Sequence, residues 1–159
     1  MATNVADSIL DAVAACITAS TATTDTDRRA AAFAENVTVM GTNTPNDRTF
    51  DIEVRGLART ELTGHVGATE QVGRRLAFTV VLHYQNPADT LRGFSTILVR
   101  DAAALHDRIP KYLQDQAIGD GAFPDQPADF SPVEFSNASL AWESRIYFVV
   151  DYREDLTQT

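Results

Sequence analysis

Three histidines, His65, His83 and His106, are the side chains best suited to proton transfer or metal binding near neutral pH. Hydropathy places them in a loop, on a strand and on a helix, and no two share metal-ligand spacing on one element. Asp101 and Asp107 flank His106. Their separation of six residues sets the carboxylates on different faces of a helix, so they are expected to be solvated helix charges or caps. Cys16 is the only cysteine, which excludes an intramolecular disulfide and a cysteine-based zinc site, and its expected role is a small apolar residue on a helix face. There is no Gly-x-Gly-x-x-Gly, no phosphate-binding loop with its lysine and no Gly-x-Ser-x-Gly elbow. The expectation is a protein without catalytic residues, cofactor or metal.

The elements that would position these residues are legible from periodicity. Val5, Ile9, Val13 and Ile17 form one helical stripe over residues 5–19, with Asn4 as its cap and Asp7 near the positive end of the helix dipole. The hydroxyl-rich tract 18–26 ends that helix. Residues 27–35 are alanine-rich and fit a short second helix or an irregular segment, and Val37 and Val39 suggest a short strand before a turn-rich loop. Phe50, Ile52 and Val54 alternate with Asp51, Glu53 and Arg55, and the polar register continues toward Glu61. Leu76, Phe78, Val80, Leu82 and Tyr84 share one parity. About ten polar and glycine-rich residues join these two strands, too few for a crossover helix, so they should pair as a long hairpin.

Leu98, Ala102, Leu105, Ile109 and Leu113 mark another amphipathic helix, with a kink or restart expected at Pro110. Residues 119–132 read as a loop. Ile146, Phe148, Val150 and Tyr152 define a closing strand, with residues 133–140 as its short antiparallel partner, and Trp142 fits a core and an interface equally well. The order predicts one α+β domain over residues 1–159, with a mainly antiparallel sheet, a long β-hairpin and two main helices packed on one face.

With 159 residues, 44% apolar and 22% charged, the chain has ordinary globular composition. Its first twenty residues carry neither a basic leader nor a long apolar run, so a cytosolic protein that does not enter a membrane is expected. Two matches to the glycosylation acceptor pattern, at Asn36 and Asn137, then read as coincidence. The net charge of -9 disfavours binding to nucleic-acid phosphates.

Two stretches carry a resemblance. Residues 49–64, Thr-Phe-Asp-Ile-Glu-Val-Arg-Gly-Leu-Ala-Arg-Thr-Glu-Leu-Thr-Gly, return through 75–84, and residues 142–152 read Trp-Glu-Ser-Arg-Ile-Tyr-Phe-Val-Val-Asp-Tyr. Together with the order of elements, they resemble the tail terminator proteins of long-tailed bacteriophages. The proline-rich segment 123–132 departs from an acidic stretch found in that family. The resemblance implies a virion subunit assembled in host cytoplasm: a ring, expected to be a homohexamer, that caps the tail tube and joins it to the head-tail connector or stopper protein. DNA would pass through without specific binding. The expected subunit contact is the hairpin tip, Thr63, Gly64, His65, Val66, Gly67, Ala68, Thr69, Glu70, Gln71 and Val72, and the expected acidic lumen draws on Asp51, Glu53, Glu61 and Glu70. Rival readings are a head-completion or stopper subunit of the neck, or a small ligand-binding domain or enzyme with its pocket between the sheet and helix 98–113.

Overall fold

The computed structural model describes residues 4–19, 33–35, 48–66, 69–85, 91–115, 133–138 and 141–155. Helix α1, Val5–Ala19, starts where Asn4 Oδ1 accepts the Ala6 N–H at 3.0 Å, and its apolar stripe buries Ile9, Val13, Cys16 and Ile17. Strands β1 (Ala34–Glu35), β2 (Thr49–Val66) and β3 (Thr69–Gln85) follow. Then come α2 (Leu91–Asp115), β4 (Val133–Ala138) and β5 (Ala141–Asp155). The sheet order is β1-β2-β3-β5-β4, antiparallel throughout except for the parallel pair β1–β2. The fold is α+β, with both helices on one side of a mostly antiparallel sheet.

Period-two alternation decides which face those helices cover. Leu76, Phe78, Val80, Leu82 and Tyr84 of β3 join Ile146, Phe148, Val150 and Tyr152 of β5 beneath α1 and α2, in one apolar cluster with Ile97, Leu98, Ala102, Leu105, Ile109 and Leu113. Phe78 stacks on Phe148 with ring centroids 5.4 Å apart. Trp142 is half-buried against the rim of this core.

Several expectations change. Residues 27–35, read as a short second helix or an irregular segment, end in strand β1: Ala34 and Glu35 pair with Thr49 and Phe50, and the Ala34 N–H donates to the Arg48 carbonyl at 3.1 Å. Residues 27–32, the suggested strand at Val37 and Val39, and the loop 119–132 lie outside the described residues.

The ten-residue connection in the hairpin is largely strand. Thr63 pairs with Val72, Gly64 with Gln71, His65 with Glu70 and Val66 with Thr69, so only positions 67 and 68, outside the described residues, separate β2 from β3. Backbone pairing outweighs the weak strand propensity of these glycines: the ladder resumes at Thr63↔Val72 after an irregularity between Arg59 and Thr63.

Helix α2 starts seven residues before Leu98, through Gly93 and a run of hydroxyls whose propensity is poor. Thr96 turns its hydroxyl back onto the Arg92 carbonyl at 3.0 Å, and the buried Ile97 and Leu98 anchor the turn. No restart occurs at Pro110, and α2 is one helix across it. Leu105, Ile109 and Leu113, all at 1% exposure or less, hold the helix by packing on both sides of the proline.

Pro110→Ala restores a backbone donor within this continuous helix. It is expected to raise stability in urea denaturation by about 1–3 kcal/mol. Ile9→Ala, at a fully buried site, is expected to lower it by about 2–5 kcal/mol. A loss of stability on Pro110→Ala would show that the proline sets the helix path.

Candidate functional site

Polar side chains gather in two places, one on each side of the sheet. On the helix side, Tyr84 donates its hydroxyl hydrogen to Asp101 Oδ2 at 2.8 Å, and Arg48 Nη1 lies 3.5 Å from the same oxygen. The Arg48 guanidinium also sits 4.5 Å over the Phe33 ring, which meets Tyr84 edge to face. The backbone fixes this arrangement: Arg48, at φ 57°, donates its N–H to the His83 carbonyl at 2.8 Å. A left-handed arginine costs roughly 1–2 kcal/mol, so the hydrogen bonds and ring stack around it must hold it there. Asp101, expected to be solvated, is 3% exposed, and the ring and guanidinium partners explain how its charge is accommodated. The cluster ties α2 to β3 and to the start of β2.

On the opposite face, which neither helix covers, the histidine expected to stand alone does not. His83 Nε2 lies 2.7 Å from Asp51 Oδ2, and its Nδ1 lies 3.7 Å from Glu143 Oε1. Arg145 bridges Glu53 at 3.0 Å and Glu143 at 3.3 Å. Burial pulls the Arg145 pKa down, but these two carboxylates outweigh it and leave the guanidinium more firmly charged than usual. Farther along, Arg75 makes a two-pronged contact with Asp151, which raises its pKa, and Arg74 bonds Glu154 on the helix side.

The chemistry available to this ladder is limited by its own pairing. Both ring nitrogens of His83 lie near carboxylates of the chain, Nε2 within hydrogen-bond distance of Asp51 and Nδ1 farther from Glu143. His106 lies on α2 with its ring 6.0 Å from Phe148, separate from Asp51 and His83. His65 occupies a strand position opposite Glu70. Cys16 is buried, and burial pushes its thiol pKa up despite the opposing pull of Arg108, away from the thiolate that a nucleophile needs. Among the described residues, no three of His, Cys, Asp and Glu form a group that could hold a metal ion. No helix among them is long and apolar enough to cross a membrane.

Of the expected lumen residues, Asp51 and Glu53 share the helix-free face, and each contacts a basic side chain there. Glu61 lies on β2 and Glu70 on β3, in the distal part of the ribbon. Of the expected tip residues, Val72 is buried and opposite Glu154 of β5, so it belongs to the body of the sheet. The residues that sequence reasoning missed are Arg48, Phe33 and Tyr84. A lone basic residue in a turn-rich stretch carries no periodic signal, and only the fold brings it to Asp101.

No family model matches this chain, and no curated protein matches it either.

The two polar clusters should respond differently to substitution. Asp101→Ala removes the buried carboxylate shared by Arg48 and Tyr84 and is expected to cost about 3–5 kcal/mol in chemical denaturation. Asp51→Ala, at a partly exposed pair, should cost under about 1 kcal/mol. Comparable losses would show that the buried pair holds the fold no more tightly than the surface one.

Tyr152 gives a separate test. Its hydroxyl is buried with no hydrogen-bond partner among the described residues. Burial raises its pKa, Glu154 and Asp7 add to the rise, and Arg74 opposes it. The folded state thus favours the neutral phenol. The stability this contributes is complete below the ordinary tyrosine value, near pH 10, and is lost as pH rises through the higher folded value. Tyr152→Phe is expected to preserve or raise stability at pH 7 and to flatten the decline above about pH 10. An unchanged alkaline limb would assign that decline to another group.

Proposed function

We propose that this chain is a non-enzymatic structural subunit, a phage tail terminator that forms a ring on the end of the tail tube and presents it to the head-tail connector. The supporting observation is the β2–β3 ribbon. Its ladder runs from Thr49↔His83 to Val66↔Thr69, a strand of 18 residues that spans roughly 60 Å at about 3.3 Å per residue. Halfway along, Val54 and Leu57 lie opposite Phe78 and Leu76, yet they are 55% and 52% exposed because neither helix reaches them. An apolar surface left exposed on the edge strand beside the core suits contact with another protein better than stability of the isolated chain. The residues of this ribbon and of β5 are also those that resemble the tail terminators.

In this reading the paired His83 and Arg145 organise the sheet's surface, and the partners are other copies of the chain, the tail tube protein and the connector. DNA passes through the ring without specific binding, consistent with a net charge of -9.

The test is tube capping. Purified protein added to polymerising tail-tube subunits is expected to halt growth and to appear by negative stain as a ring at one end of each tube. Tubes that grow to the same lengths with and without it, and carry no terminal density, would overturn the proposal.

A further inference from the structure

Among the described residues, both long edges of the sheet are open over windows that lie at the same height. On one edge, β1 covers β2 only at Thr49 and Phe50. On the other, β4 covers β5 only from Ala141 to Ile146. Among the described residues no strand covers β2 at 54–59 or β5 at 148–155.

The central strand links the two windows row by row. Val54 pairs with Phe78 and thus with Phe148, Leu57 with Leu76 and Val150, and Arg59 with Arg74 and Tyr152. Because β2 and β5 are each antiparallel to β3, they run in the same direction. A second copy moved sideways, without reversal, therefore brings its β2 window level with the β5 window of the first.

Charge selects this pairing over like with like. The β2 window contains Arg55 and Arg59 and no acid, and all six of its residues are exposed. The β5 window contains Asp151, Glu154 and Asp155 against Arg153, a net charge of -2. Asp151 and Glu154 already accept from Arg75 and Arg74, but a carboxylate has about four lone-pair positions and can take a second arginine. Two β2 windows would set arginines against arginines, and two β5 windows would set acids against acids. The exposed Val54 and Leu57 supply apolar area to cover.

We infer that copies of this chain join edge to edge, the β2 window of one adding as a parallel strand to the β5 window of the next, so that one sheet continues from subunit to subunit. Such a contact uses two different surfaces and is head-to-tail, the kind that closes into a ring when the rotation between neighbours divides a full turn evenly. The inference rests on the ring-forming reading above and specifies its interface.

The experiment measures association of the purified protein by sedimentation velocity, with circular dichroism to verify folding. Wild type is expected to form a closed oligomer, and Arg55→Glu with Arg59→Glu to weaken it by at least about tenfold while remaining folded. Ala58→Cys and Arg153→Cys, at two exposed positions on the helix-free face, provide a second readout. A short bis-maleimide should join them when the two variants are mixed and should give no dimer from either variant alone. Oligomers unaffected by the arginine reversal, or cross-links within the Ala58→Cys variant alone, would overturn the edge pairing while leaving ring formation intact. A wild type that stays monomeric at its highest soluble concentration would also overturn the edge pairing, and tube capping would then decide the tail-terminator reading separately.

Discussion

One carboxylate fixes how the layers meet. Asp101 is buried on α2, and an unpaired charge there would cost several kcal/mol, so the helix can settle only where Tyr84 and Arg48 supply hydrogen-bond donors. Apolar packing is non-directional and by itself specifies the seat of α2 on the sheet less sharply than a hydrogen bond does. The polar link fixes that seat and at the same time draws the start of β2 against the end of β3. The left-handed Arg48 is the local cost of this arrangement, offset by its backbone bond to His83 and by the Phe33 ring.

That anchoring leaves the two faces of the sheet with different work. The helix side is a continuous apolar core from Tyr84 to Tyr152. The other side is a row of polar contacts, the Asp51–His83 hydrogen bond and the ion pairs Glu53–Arg145 and Asp151–Arg75. Partly exposed pairs of this kind add little stability, generally under about 1 kcal/mol each. They do line this face with polar groups over the buried Thr79 and Val81, and so disfavour stacking against the same face of another molecule. What the fold leaves available to a partner is therefore the ribbon and the strand edges.

The sequence revealed the parts of this fold that repeat. The stripe Val5, Ile9, Val13 and Ile17 and the alternation from Leu76 to Tyr84 and from Ile146 to Tyr152 are periodic signals, and all three elements are found where those signals lie. Elements held by tertiary context were not legible. The first turns of α2 have poor propensity and are stabilised by Ile97 and Leu98 in the core, while β1 exists only because β2 offers it an edge. The same limit applied to the polar sites. The Asp101 spacing correctly separated it from Asp107, but nothing in the local sequence indicated that its face of the helix meets Tyr84. His83 seemed isolated because its partners, Asp51 and Glu143, are 32 residues before it and 60 after it.

The step in register at Arg55 has a consequence of its own. Val54 lies opposite Phe78 and Gly56 opposite Ala77, so Arg55 is a single extra residue in β2. In a signal of period two, one added residue is a phase change of half a cycle. Even positions face the helices before it, as Phe50 and Ile52 do, and odd positions face them after it, as Leu57 does opposite Leu76. This is why the alternation legible from Phe50 to Val54 dissolves just beyond it. Arg55 thereby acts as a hinge in the coding of the strand: the proximal segment is written in the phase of the core, and the distal segment, in the opposite phase, can vary its surface without disturbing the packing behind it.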